Sequence, residues 1–440
     1  MTTDQDIARV FALHREKKWE LKRSSISDRK ARLKRLADHI SGMTEEVAAA
    51  IMSDLGRLSE NMPFDLGLSI AAIDEILESL DDWAQPTPVA AHLDVPGANA
   101  YLHYEGRGAI LLLGPWNFPV HLVLVPLATM VAAGNTVIVK PSEMAPASSA
   151  LVTGIIRAVF PEDEVAVFEG GRDTASQLME LPFDHMMMTG SPHVGKIMMS
   201  AAAKHLSSVT LELGGKNPAF IDQTADLASA AQQIGDGRTL NSGQNCMATD
   251  YVLLPKDVRD GFVDALSSYW RTTLFDGETY HSGKVGRFVD RRNYERVAGY
   301  LDAAVAAGAT IVFGGGRDDT AMTIEPTIIV DVPQDSPLFT EEVFGPVLTI
   351  ITYEDLEDAL RIVEAKEKPL GLSVFSKNAD YVAKVIDGTS SGSTSVNNWA
   401  YTYFDQHMPF GGVNASGIGR YHSIHGFREF SHTRAIFESA

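Results

Sequence analysis

Residues 108–143 read GAILLLGPWNFPVHLVLVPLATMVAAGNTVIVKPSE, and the fold class follows from this stretch. The run 109–113 (AILLL) is continuously apolar and of strand length. Residues 119–133 predict a helix with Pro119 suited to its first turn, and 136–139 (TVIV) predict a second strand. A strand covered on both faces reads as an unbroken hydrophobic run rather than an alternating one. Two such runs joined by a helix therefore predict parallel strands sandwiched between helices.

The alternation continues outward. Residues 147–159 predict helix, 165–168 strand, 174–180 helix, 185–189 strand, 194–203 helix and 209–213 strand. The predicted class is α/β, with a doubly wound parallel sheet of the nucleotide-binding kind. A second α/β region follows, with strands expected at 249–254, 310–313, 327–330, 347–352 and 372–375 and helices at 257–269 and 297–306. Upstream, 7–21, 26–40 and 60–83 predict amphipathic helices, the last ended by Pro86 and Pro88. The alternating run 101–104 (YLHY) predicts an edge strand or hairpin arm.

Composition narrows the function classes. Among 440 residues, 57 are Asp or Glu and 37 Lys or Arg, a formal charge of −20. That field repels phosphodiester backbones and argues against broad nucleic-acid binding. Hydrophobic residues at 45% exclude a disordered chain. A single cysteine excludes an internal disulfide and a multi-cysteine zinc site, and the thirteen histidines show no metal-ligand spacing. The charged N-terminus lacks the apolar stretch of a signal peptide, and no run of about 18 apolar residues occurs. The expectation is a cytoplasmic protein without metal or membrane partner.

Four segments carry candidate chemistry. Residues 190–197 (GSPHVGKI) match the spacing of a phosphate-binding loop, but Ile197 stands where a hydroxyl should hold magnesium, which disfavours phosphotransfer. A phosphate site at a helix start and an ordinary Gly-rich turn read equally well here. Cys246 ends 241–246 (NSGQNC), whose polar residues suit an exposed loop; a lone cysteine is otherwise most often an inert core residue. Glu212, in 211–215 (LELGG), lies at a strand end where ligands bind; it is a candidate general base or a salt-bridging acid. Asn117, in 114–119 (GPWNFP), follows the first parallel strand and could donate to an oxyanion, although a plain turn uses the same residues.

Taken together, GPWNFP, VIVKPSE (137–143), TGSPHVGK (189–196), LELGGKNP (211–218), GQNC (243–246), EEVFGP (341–346) and PFGGVNASGIGR (409–420) stand in the order and spacing of the NAD(P)-dependent aldehyde dehydrogenase superfamily. The resemblance runs from about residue 101 to the C-terminus. The ending 409–432 most resembles the class 3 and coniferyl aldehyde dehydrogenase branch.

The resemblance implies roles. Cys246 is the implied nucleophile, passing through a thiohemiacetal and a thioester. Asn117 and the Cys246 backbone N–H are the implied oxyanion hole, and Glu212 the base that activates water. Lys140 and Glu143 are implied at the adenosine ribose, Gly190 and Ser191 at the pyrophosphate, and Glu342 with Phe344 at the nicotinamide ribose. Trp116 and Leu213 complete the implied cofactor contacts. Phe118, His121, Leu122, Asn245, Met247, Tyr401 and Phe410 are the implied substrate tunnel, whose character favours medium-chain or aromatic, coniferyl-type aldehydes. NAD is the expected cofactor and NADP the second candidate, since Glu143 repels a 2′-phosphate that Lys140 could attract.

The sequence departs from its relatives in places. Thr249 stands where Pro is common, and Tyr421 where many relatives carry Glu. Pro192 and Asn414 are unusual in their motifs. Two rivals remain: a CoA-acylating relative, which usually lacks the acid at position 212, and a catalytically silent member acting as a binding protein. The implied organisation is a dinucleotide-binding domain (1–87 and 107–211), a thiol domain (212–430) and a bridging element (88–106 with 431–440). A terminal strand reaching across to a second subunit would make a homodimer.

Overall fold

The computed structural model describes residues 4–58, 64–93 and 95–439. Its first sheet has six strands in the order Gly417–Ile418, Ser208–Glu212, His185–Thr189, Ala109–Leu113, Thr136–Lys140 and Val165–Val167. All neighbours are parallel except Gly417–Ile418, which runs antiparallel to Ser208–Glu212. The chain winds outward from Ala109–Leu113 to one edge, then returns to the other side of that strand. The order therefore reverses between Ala109–Leu113 and His185–Thr189, where doubly wound folds open their ligand crevice.

Strand geometry explains the apolar run that opened the reading. Successive side chains point to opposite faces. Ile110 and Leu112 join the core under the helices Ile26–Ile40, Phe64–Trp83 and His121–Ala132, whereas Ala109, Leu111 and Leu113 join the core on the other face. Both faces are dry, so both alternating sets must be apolar.

The second sheet has seven strands: Thr310–Phe313, Thr327–Val330, Val347–Tyr353, Tyr251–Pro255, Pro218–Ile221, Gly371–Phe375 and Ser393–Val396. Only the first pair is antiparallel. A third sheet pairs Asn99–Gly106 antiparallel with Ser431–Glu438 along their whole length, from Asn99 opposite Glu438 to Gly106 opposite Ser431. Thr87–Pro88 closes its other side.

Several elements differ from expectation. Helix Thr44–Leu55 and strands Pro218–Ile221 and Ser393–Val396 were not predicted. The last two are four residues long, one beginning with Pro and the other mostly Ser and Thr, so they carry little periodic signal. The helix expected over 60–83 is described as Phe64–Trp83, and its first four expected residues lie outside the described ones. Parts of the segment 212–430 also return to the first sheet and its core. Gly417–Ile418 belongs to the first sheet, and helix Ser423–Glu429 packs on Phe64–Trp83 and His121–Ala132. The chain crosses back because Phe427 and Phe430 are buried in the first core. Among the described residues, no helix is long and apolar enough to cross a membrane.

Candidate active site

Helix Leu227–Thr239 ends in a tight turn, Leu240–Gly243, in which Asn241, Ser242 and Gly243 take positive φ of 56°, 56° and 70°. A Cβ on Gly243 would sit 2.2 Å from the Gly345 carbonyl oxygen, so the thiol loop touches the loop of Glu342 at a point where only glycine fits. Asn117 Nδ2 donates to the Gln244 carbonyl at 3.2 Å, and Asn241 Nδ2 donates back to the Asn117 carbonyl at 2.9 Å. This reciprocal pair clamps the loop after the first strand to the loop of Cys246. Asn217 Nδ2 fixes the other side, donating to the Cys246 carbonyl at 2.7 Å.

The expected exposed loop is in fact largely buried, and its Asn241 and Gln244 amides donate both within its own turn and to the Asn117 and Arg287 carbonyls. Cys246 keeps partial exposure at a narrow cavity lined mostly by apolar and aromatic side chains. Burial pushes its thiol up to about 12, and the nearby Glu342 and Glu212 carboxylates add to the effect. Glu212 ends its strand at the same cavity, 2% exposed, with no hydrogen-bond partner on either oxygen. Burial raises its pKa well above the ordinary carboxylate range, against a smaller opposite pull from Arg420. Glu342 is pushed up to about 8, first by burial and then by Asp250.

Three loops meet on one buried ion cluster that the sequence reading missed. Arg238 Nη1 contacts Asp250 Oδ1 at 2.5 Å and donates to the Thr249 carbonyl, while Nη2 donates to the Gly243 carbonyl. Asp250 accepts from the Val343 backbone N–H at 3.3 Å and faces Lys216 Nζ at 3.7 Å. The cluster thereby links the segments after Glu212, around Cys246 and beside Glu342. Arg238 lies in a helix whose buried face is otherwise apolar or small, and that misplaced charge is the signal by which it could have been found.

Phe118, Leu122, Asn245, Met247 and Phe410 line the cavity, as does Leu213. His121 and Tyr401 do not: His121 stands behind the wall, bonded to Tyr403, and Tyr401 is 61% exposed. Tyr401 opens a four-residue helix, Tyr401–Phe404, in which Tyr403 and Phe404 turn inward instead. Phe64, Trp399 and Tyr421 complete the wall without having been anticipated there.

On the crevice side, Trp116 and Phe344 meet edge to face at 5.5 Å. Buried Lys140 is ion-paired with half-exposed Glu143 at the end of Thr136–Lys140. Gly190 donates its N–H to the Glu212 carbonyl, and Ser191 caps helix Pro192–Ala203 by accepting from Val194. A Cβ on Gly214 would lie 2.1 Å from Glu342 Oε2, so the Glu212 strand end and Glu342 approach at van der Waals limits. A capped helix start, a Lys–Glu pair and an acid beside an aromatic pair form a donor and acceptor set that suits a dinucleotide's phosphates and ribose hydroxyls.

A family model described as "Aldehyde dehydrogenase family" matches residues 1–436. The chain belongs to the aldehyde dehydrogenase family. It is 41% identical over 437 residues to AldX of Bacillus subtilis, covering 99% of this chain and 98% of that one. It is 37% identical to the rat "Aldehyde dehydrogenase, dimeric NADP-preferring", covering 94% and 90% of the two chains. The solved structure of Staphylococcus aureus AldH in a substrate-bound state superposes with a TM-score of 0.94 at 34% identity, covering 100% of this chain and 95% of that one. The chain is thus an NAD(P)-dependent aldehyde dehydrogenase with class 3 enzymes among its relatives.

Proposed function

We propose that this aldehyde dehydrogenase oxidises medium-chain or aromatic aldehydes, coniferyl-type ones included, to their carboxylic acids at Cys246. The observation that carries the proposal is the shared cavity of Cys246 and Glu212, walled by aromatic rings, with Asn117 bonded to the loop of Cys246. Apolar and aromatic walls reward apolar and aromatic substrates.

Cys246 attacks the aldehyde carbon as its thiol proton passes to Glu212, whose raised pKa makes it a competent acceptor. One N–H of Asn117 is spent on the Gln244 carbonyl; the other, with the Cys246 backbone N–H, receives the developing oxyanion. When bound, the nicotinamide ring supplies the acceptor for the hydride that leaves the thiohemiacetal carbon. The acyl group then remains on sulfur as a thioester. Glu212, having released its first proton, takes a second from water, which attacks the thioester and frees the acid and the thiolate. An acid at position 212 supports hydrolysis over transfer to CoA.

Lys140 and Glu143 would hold the adenosine ribose, the Ser191-capped helix start the pyrophosphate, and Glu342 the nicotinamide ribose. Because Lys140 is already held by Glu143, a 2′-phosphate must compete with a carboxylate; this supports NAD over NADP. Strand Ser431–Glu438 leaves its outer edge unpaired among the described residues and most of its side chains exposed, which supports a homodimer formed at that edge.

The test is an aldehyde panel followed at 340 nm with each cofactor, with and without CoA, beside Cys246→Ser. Medium-chain and aromatic aldehydes should be preferred and the variant inactive. Highest activity on short charged semialdehydes, or formation of acyl-CoA, would contradict the reading.

A further inference from the structure

Tyr403 lines a cavity whose walls are mostly apolar and aromatic. The ring is locked by Phe410 at 4.7 Å, Phe404 at 5.8 Å and the imidazole of His422 at 5.3 Å. Its oxygen is hydrogen-bonded to His121 Nε2. His121 is 1% exposed and comes from the helix after the Asn117 loop, and its Nδ1 is buried without a partner. Burial holds the imidazole down to about 4, against the pull of Asp65, so the ring is neutral in the physiological range.

A neutral imidazole carries one proton, and its position decides what Tyr403 offers. A proton on Nδ1 would bury an N–H with no acceptor, the rarer and costlier orphan; a proton on Nε2 leaves only a lone pair unmet. Nε2–H therefore donates to the Tyr403 oxygen. The phenolic O–H is then unspent and belongs to a residue that lines the cavity.

We propose that the Tyr403 hydroxyl, oriented by His121, is a specificity-determining donor that hydrogen-bonds an oxygen carried by the aldehyde in addition to its reacting carbonyl. The ligand class is an aromatic aldehyde bearing an ether, phenol or similar acceptor. This rests on the cavity being the aldehyde site, as proposed above. A site built to hydrogen-bond a substrate group discriminates against the isostere that lacks it, because its own polar atom is left unmet.

The experiment compares kcat/KM for 2-, 3- and 4-methoxybenzaldehyde with that for the ethyl isosteres. Methoxy also alters intrinsic reactivity, so the readout is the change in each ratio between wild type and Tyr403→Phe. At least one ring position should show an advantage for oxygen that falls roughly tenfold in the variant. His121→Gln, whose amide N–H can replace Nε2–H, should keep the advantage, and His121→Leu should lose it. A misplaced Cys246 would slow both members of a pair alike and leave the ratio intact. Unchanged ratios in Tyr403→Phe would overturn the inference. So would a preference for hydroxy compounds with none for methoxy, which would make Tyr403 an acceptor. If no aldehyde is oxidised at all, the reading of the cavity falls instead.

Discussion

Cys246 is the only cysteine in the chain, so its chemistry can be followed without a competing thiol. Its pKa is raised to about 12, first by burial and then by two carboxylates. A raised thiol pKa means the neutral form dominates at neutral pH and the thiolate fraction climbs with pH until about 12. Alkylation of the cofactor-free protein by iodoacetamide, read by mass spectrometry, should therefore accelerate about tenfold per pH unit from roughly 7 to 10 without levelling. A plateau near pH 8 would show that the resting thiol is not in this environment. Cys246 and Glu212 stood out as candidates from their strings, because a polar glycine loop and an acid ending an apolar strand are local patterns. The burial of the Cys246 loop was not: NSGQNC is polar in sequence, yet the Asn241 and Gln244 amides are spent on carbonyls of the turn and of neighbouring segments.

At the scale of elements, the site depends on how three loops are held together. Asp250 serves all three, balancing Arg238 and Lys216 while accepting from Val343. Arg238 and Asp250 are both 1% exposed. Asp250→Asn would leave two buried cations without a counter-charge, and breaking a buried pair costs about 3–5 kcal/mol. We expect a large drop in the denaturant midpoint together with loss of aldehyde oxidation. A change within about 0.5 kcal/mol, typical of neutral surface substitutions, would mean the cluster does not hold the loops. The parallel strands of the first sheet were readable because dry strands are apolar throughout. Arg238 was overlooked because its partner lies twelve residues on and its other contacts are carbonyls, which no side-chain pattern encodes.

The whole molecule is organised by a chain that returns. After building the second sheet it re-enters the first through Gly417–Ile418 and helix Ser423–Glu429, then closes the third sheet with Ser431–Glu438. Among the described residues that last strand presents an unpaired edge, with Phe437 47% exposed. Sedimentation should find a dimer whose dissociation is promoted by Phe437→Arg; a stable, fully active monomer would refute the dimer. By itself the sequence determined the α/β class, the family and the residue types of the site, because hydrophobic periodicity and turn chemistry act over a few neighbouring residues. Only the tertiary structure decided that the thiol loop is largely buried, that Tyr403 rather than Tyr401 lines the cavity, and that His121 stands behind it. Desolvation, ring packing and hydrogen-bond orphans depend on which distant segments fold against one another, and separation along the chain carries no record of that.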